Sequence, residues 1–345
     1  MKSCKMMNDL DLLNTYDYFL PKELIATKPT LPKEEAKLLV YDRKNDKIYH
    51  LKFGNLPEIL PPCKIIFNDT KVIKARIYGH KESGGKIELL INRPLDDNKF
   101  SVFIKGSVKI DTKLIFENEL FARVLELLDD GSRIVKFYKK SEILNTDNVF
   151  EILEKIGHTP LPPYIKRDDN KNDEIWYQSV FAKNLGAVAA PTASLHFSDD
   201  MIKTLKKTHE IFYLTLHIGA GTFKGVESEN IHDHKMHSEW FNIPKNTALV
   251  LDSKDQILGV GTTVTRAVED YARNHNLSKE CNLFLNYANK PIRQNYLLTN
   301  FHLPKSTLIM LVTAFIGYEK TMEIYKIAIE KGYKFYSYGD AMLVI

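Results

Sequence analysis

Two hydrophobic patterns share this chain. Between residues 72 and 137 the apolar positions fall in short runs, at 72–78, 86–91, 100–104, 114–116, 120–128 and 133–137. Turn signals divide them: Gly84-Gly85, Arg93-Pro94, Asp96-Asp97-Asn98 and Asp129-Asp130-Gly131. Runs this short, with no helical period, predict a small barrel or sandwich.

On either side the pattern changes. Residues 38–42 and 47–53 read as a hairpin across Asn45-Asp46. After the β-rich segment a helical run ends at Gly157 and leads into a proline-rich loop at 160–163. Ser198 is placed to cap a helix, with Asp199 and Asp200 in its positive first turn. Apolar strands are expected at 211–216, 257–260 and 296–298. Helices are expected at 264–273, 307–315 and 322–330, the last stopped by Gly332. Alternating strands and helices imply a largely parallel or mixed sheet covered by helices. The expected fold is an α/β domain with a mixed sheet, made of residues 1–68 and 142–345 and interrupted by an inserted antiparallel β domain at 69–141.

Composition narrows the class. With 345 residues, 44% hydrophobic and 27% charged, the chain is neither disordered nor fibrous and exceeds what one core usually fills. Three scattered cysteines, Cys4, Cys63 and Cys281, make neither a disulfide framework nor a thiolate metal cage. The apolar stretch 308–316 is far shorter than the roughly 20 residues that span a bilayer. The N-terminal segment carries Asp9, Asp11 and Asp17 and lacks the apolar core of a signal peptide. A cytoplasmic protein without membrane attachment is expected. Net charge is +4, but residues 71–140 hold 15 Lys and Arg against 10 Asp and Glu. That surplus can steer a polyanion or be an ordinary solvated surface.

The polar motifs follow expected strands, where an open α/β sheet holds its ligands. LHIGAGTF brings His217, Gly219, Gly221, Thr222 and Phe223. Its two glycines allow close backbone approach or a tight turn. HDHKMHSEW holds His232, His234, His237 and Glu239 at a spacing unlike that of a zinc protease. A metal-free role for His237 and Glu239, in hydrogen bonding or proton transfer, fits better. GVGTTVTR enters a helix at Thr262-Thr263, with Arg266 one turn in as an anion clamp or a surface residue. LLTNFHLPKSTL crowds Thr299, Asn300, His302, Ser306 and Thr307 between apolar elements, and YSYGDAM places Asp340 beside a glycine. Residue types and spacing alone stop at an α/β enzyme with a His- and Thr-rich pocket.

These motifs, with GAVAAPTASLHF, FNDTKVIKAR, IGHTPLPPYIKR and the opening YDYFLPKELIA, resemble the S-adenosylmethionine:tRNA ribosyltransferase-isomerases, in the same order from Tyr16 to the C-terminus. The resemblance implies an α/β domain with an inserted β barrel. It also implies transfer of the ribosyl part of S-adenosylmethionine to 7-aminomethyl-7-deazaguanine at the tRNA wobble position. Isomerisation there gives epoxyqueuosine and releases adenine and methionine. S-adenosylmethionine is then a consumed substrate, tRNA the macromolecular partner, and neither a cofactor nor a metal is expected. The active form is expected to be a monomer. The sulfonium acidifies the C5′ hydrogens, so a base is needed, and the amine must be neutral to attack C1′. Candidate bases from the matched motifs are Asp69, His217, His237, Glu239, His302 and Asp340. Candidate substrate contacts are Asn68, Thr70, Arg76, Thr192, His196, Gly219, Gly221, Thr222, Thr262, Thr263, Asn300 and Tyr338. Arg266 is a candidate clamp for the methionine carboxylate, and Phe223 and Phe301 for cation–π contact with the sulfonium.

The chain departs from the family pattern in places. Lys33-Glu34-Glu35-Ala36-Lys37 replaces an Arg-Asp-x-Ser-Arg motif, Ser194 and Gly225 replace Gly and Pro, and 286–295 lacks a Pro-Gly-Tyr loop and ends in Asn295 where an acid is usual. Two other classes are weighed against the leading one. A methyltransferase would carry a nucleotide fingerprint after an early strand, and a non-catalytic tRNA-binding protein would not need so many acids and histidines.

Overall fold

The computed structural model describes residues 9–223 and 225–345, apart from the side chain of Phe223. The chain divides into two compact units. The first contains residues up to Asp69, Pro191–Leu216 and the C-terminal part of the chain; the second is Thr70–Ala190 with His217–Phe223. The inserted unit therefore runs far past 141, where the sequence pattern ended it. The helix Thr146–Ile156 buries Val149, Phe150, Ile152 and Leu153 in the same core as the inserted strands, which takes it out of the α/β domain.

Strands β1 (Lys37–Asp42), β2 (Lys47–Lys52) and β3 (Lys64–Asn68) begin the first unit. The second holds β4 (Thr70–Val72), β5 (Arg76–Lys81), β6 (Lys86–Leu95), β7 (Lys99–Lys105), β8 (Lys113–Phe116), β9 (Leu120–Leu127), β10 (Arg133–Lys139), β11 (Glu142–Ile143) and β12 (Asn184–Ala187). The first resumes with β13 (Ile211–Leu216), β14 (Glu239–Asn242), β15 (Ile257–Val260), β16 (Ser278–Cys281), β17 (Tyr296–Asn300) and β18 (Ala341–Val344).

Among the described residues the first unit has one nine-stranded mixed sheet, ordered β16-β14-β13-β3-β15-β17-β18-β1-β2. Its centre, β13-β3-β15-β17, is parallel throughout. These strands are largely apolar, as parallel strands buried on both faces must be. Antiparallel pairs flank them at β14–β16 and β1–β2. Helices start at serine caps: Ser198, where the sequence placed one, and Ser306 each accept an N–H of the first turn, from Met201 and Ile309.

In the second unit β10-β7-β6-β5-β8-β9 closes through a further β9–β10 pairing into a six-stranded antiparallel barrel. Closure removes the exposed sheet edges. Alternate residues point inward, so Ile77, Leu89, Ile91, Phe100, Val102, Leu114, Val124, Val135 and Phe137 fill the core. The single run expected at 72–78 is two strands, β4 and β5, because the chain leaves β4 before entering the barrel at Arg76. No helix among the described residues is long and apolar enough to cross a membrane.

Candidate active site

In the first unit the carboxyl ends of β13, β3, β15 and β17 share one edge of the sheet, on either side of β3, where the chain order reverses. β3 ends in buried Asn68. Its Nδ2 donates to the Leu216 carbonyl oxygen at 2.9 Å, and its Oδ1 accepts the Leu216 N–H at 3.0 Å, fastening β3 to β13. The same Nδ2 lies 3.4 Å from Thr263 Oγ1. Half-buried Asp69 follows, its Oδ1 accepting from Thr215 Oγ1 at 2.7 Å. Gly261, at φ +91°, turns the chain from β15 into the helix Thr262–Asn274, and no side chain caps that helix. Its first N–H groups and the hydroxyls of Thr262 and Thr263 are therefore suited to an anionic or polar group.

At the end of β17, Asn300 Nδ2 donates to the carbonyl oxygens of Tyr336 and Ser337, at 2.9 and 3.2 Å. The one-turn helix Thr192–His196 packs against this strand. Thr192 is half-buried at its start, and His196 stacks on Phe53 with ring centroids 4.9 Å apart. Burial lowers the His196 pKa to about 4, against a smaller opposing effect of Asn300, and nearby Lys33 lowers it further. The ring is neutral at pH 7. Tyr338 is buried close by in sequence.

Several residues proposed from the sequence have other duties. Arg266 is buried, and its guanidinium donates to Glu239 Oε2 at 2.6 Å and to the carbonyl oxygens of Leu283, His237 and Cys281. Arg266 thus clamps three carbonyls and is paired with Glu239. Asp340 accepts backbone N–H groups from Lys37 at 2.8 Å and Lys334 at 2.7 Å, so it staples two segments to the sheet. Burial raises its pKa, and those two N–H groups partly offset the rise.

His302 is buried against Thr299 Oγ1 at 2.9 Å, its N–H donates to the Tyr325 hydroxyl, and burial lowers its pKa to about 3. Phe301 packs on Tyr325, Tyr333 and Phe335 inside the core. The histidine-rich segment is divided among different partners. His232 meets Asp11 at 2.8 Å, His234 lies near the Phe284 ring, and the carbonyl of half-buried His237 takes an Arg266 N–H.

The second unit holds the other candidates. Thr70 is buried, and its Oγ1 lies 2.8 Å from His217 Nδ1 and 3.5 Å from the Asn184 carbonyl oxygen. Gly186 backs this ring: a Cβ there would stand 2.8 Å from it, and φ is +148°. Gly219 lies against Asn92, whose Oδ1 accepts the Ala220 N–H at 2.9 Å and shapes the turn Ala220–Phe223 containing Gly221 and exposed Thr222. The Phe223 side chain lies outside the described residues. Arg76 reaches Glu88 at 3.1 Å and the Leu161 carbonyl oxygen at 3.2 Å, so much of its fork is committed within the unit.

The sequence reading passed over Thr215, Asn92, Gly186 and Glu269. Buried Glu269 accepts the N–H groups of Ile292, Arg293 and Gln294, anchoring the segment that lacks the family loop. Asn295 serves there too, accepting the Ile257 N–H at 2.9 Å. In the other divergent segment, Lys33 donates to the Phe197 carbonyl oxygen at 3.0 Å and Glu34 accepts from Ser198 Oγ. Only Gly186, inside a quoted motif, carried a local signal; the others are identified by partners distant in sequence.

A family model described as "Queuosine biosynthesis protein" matches residues 13–344. A Campylobacter fetus protein named S-adenosylmethionine:tRNA ribosyltransferase-isomerase is 64% identical over 98% of this chain and 100% of its own length. One of the same name from Sulfurimonas denitrificans is 59% identical over 97% of this chain and 98% of its own. The crystal structure of S-adenosylmethionine tRNA ribosyltransferase from Thermotoga maritima aligns with a TM-score of 0.53 and 31% identity, covering 96% of this chain and 100% of that one.

Proposed function

The chain belongs to the queuosine biosynthesis protein family, and from that premise we propose an S-adenosylmethionine:tRNA ribosyltransferase-isomerase whose acid–base work falls to Asp69 and His217. The reaction moves the ribosyl unit of S-adenosylmethionine onto the aminomethyl group of 7-aminomethyl-7-deazaguanine in tRNA. The unit is isomerised to the epoxycyclopentane of epoxyqueuosine, and adenine and methionine leave. The observation that carries the site assignment is the elimination among the acids and histidines of the matched motifs. Glu239 is neutralised by Arg266, Asp340 is held by two backbone N–H groups, and His302 is sealed in the core. Asp69 and His217 remain with His237, and the first two are each oriented by a threonine hydroxyl of their own unit.

A base positioned by a hydroxyl suits removal of an acidified C5′ hydrogen, and a second group must keep the aminomethyl nucleophile neutral. Thr262, Thr263 and Asn68 are proposed to bind polar groups of the substrate at the carboxyl edge of the sheet. Thr192 and Tyr338 complete that set in the first unit, and Thr70, Arg76, Gly219, Gly221 and Thr222 are proposed substrate contacts within the second. His237 is kept as an alternative base. No metal or cofactor is required by this chemistry. The protein is proposed to act as a monomer in the cytoplasm, where its tRNA is found.

Adenine release in the presence of tRNA carrying the deazaguanine tests the assignment. Asp69→Asn and His217→Asn should each keep S-adenosylmethionine binding and lose roughly 10²–10⁴ in rate. Hydrogen exchange at C5′ in deuterated water identifies which of the two removes the carbon-bound proton. Near-normal turnover in both variants would transfer the role to His237.

A further inference from the structure

The outer wall of the barrel carries an arrangement of charge that its stability does not explain. On β7, β10, β9 and β8 the residues Phe100, Phe137, Ala122 and Leu114 belong to the core. Their chain neighbours Lys99, Lys136, Arg123 and Lys113 therefore face outward. Strand pairing sets these four side by side: Lys99 stands opposite Lys136, Lys136 opposite Arg123, and Arg123 opposite Lys113. Four cations on four adjacent strands make one row across the wall, about 14 Å long at a strand spacing of about 4.8 Å.

Like charges directly opposite one another weaken a sheet, and this row holds three such pairs in succession. Lysines often blunt an open sheet edge, but each of these strands is paired on both sides in the closed barrel. Acids relieve only the ends of the row: Lys99 lies 4.0 Å from Asp97, and Lys113 lies 3.4 Å from Glu82. The central pair, Arg123 and Lys136, has no ion-pair partner among the described residues. Two residues further along the same strands, Tyr138, Phe121 and Ile115 form a second outward row. Lys113 Nζ sits 4.8 Å from the centroid of the Phe121 ring. The wall thus presents a line of positive charge beside a line of aromatic and apolar surface.

We propose that the face built on Lys99, Lys136, Arg123 and Lys113 holds the sugar–phosphate backbone of the tRNA. The choice of partner rests on the reaction proposed above. An anion laid over the row relieves the repulsion between its neighbours, and a chain of phosphates supplies one anion after another. The Arg123 guanidinium can take a phosphate with two N–H groups, while sugars and base faces lie against Tyr138 and Phe121. Contacts of this kind carry no sequence information; they fix where the tRNA lies and leave recognition of its modified base to other residues.

The test uses the full chain and tRNA carrying the deazaguanine. Arg123→Gln combined with Lys136→Gln should flatten the slope of log affinity against log salt by up to about 1.8, and should raise KM for the tRNA with kcat little changed. The same variant should unfold at an unchanged or higher temperature, because it removes repulsion and breaks no ion pair. Lys206→Gln combined with Lys207→Gln takes the same charge from exposed positions of the first unit and should leave the slope as it was. An unchanged slope and affinity in the barrel variant overturn the proposal. Equal flattening by both variants overturns it too, since the effect would then belong to net charge and not to this face. Adenine release by the unaltered protein tests the reaction separately, so the docking face can fail while the reaction stands, or the reverse.

Discussion

Oε2 of Glu239 lies 2.6 Å from Nη1 of Arg266, and both side chains are buried. The acid at the start of β14 thereby fixes the helix Thr262–Asn274 through its second turn. Removing one partner of such a pair leaves the other charge uncompensated, at a cost of about 3–5 kcal/mol. Glu239→Gln should therefore lower the urea midpoint strongly while the folded fraction still releases adenine. Asp340→Asn should act in the same direction, by about 1–3 kcal/mol, because an amide offers one acceptor oxygen where two N–H groups require partners. A variant of normal stability with turnover lost would restore Glu239 or Asp340 as the base.

Acid should destabilise the protein well above the range in which carboxylates titrate. His196 and His302 have folded pKa values lowered by burial from 6.5 to about 4 and about 3. Between those values and 6.5 the unfolded chain binds more protons than the folded one, so stability rises with pH across that window and is lost as pH falls through it. Each histidine adds up to about 1.4 kcal/mol per pH unit. Urea unfolding at pH 7, 6 and 5 measures the slope. His196→Phe should flatten it, and an unchanged slope would show that this ring is not held neutral.

Affinity for tRNA should fall steeply with salt if the basic barrel contacts phosphate. Lys86, Lys105 and Lys109 are exposed there, whereas Lys74 is paired with Glu174 at 3.1 Å and Lys81 donates to the Ser107 carbonyl oxygen. Each duplex phosphate neutralised contributes roughly −0.9 to the slope of log affinity against log salt. Lys86→Ala combined with Lys109→Ala should flatten that slope by up to about 1.8. If slope and affinity stay the same, the tRNA lies on another surface.

A strong chelator in metal-free buffer should leave turnover unchanged. His232 pairs with Asp11, whereas His234 lies near Phe284 and within electrostatic reach of His237. Loss of adenine release, recovered on adding zinc or iron, would require a different account of this segment.

The sequence alone determined the two architectures and many of their boundaries. Short apolar runs between turn residues specified the barrel strands, because alternation is all that a strand in a closed sheet needs. Side-chain caps at Ser198 and Ser306 marked helix starts through local hydrogen bonds. The four-residue strands β14 and β16 were not legible, since so short and partly polar a segment lacks the periodicity to distinguish it from a loop, whereas the equally short but wholly apolar β15 was. The duties of the acids were hidden as well. Glu239 meets Arg266 across 27 positions and Asp340 meets the Lys37 N–H across 303, so whether each carboxylate is a base, a counter-ion or a staple depends on which chain segments packing brings beside it. Residue type sets what a side chain can do, and tertiary burial and pairing decide which of those chemistries remains open to it.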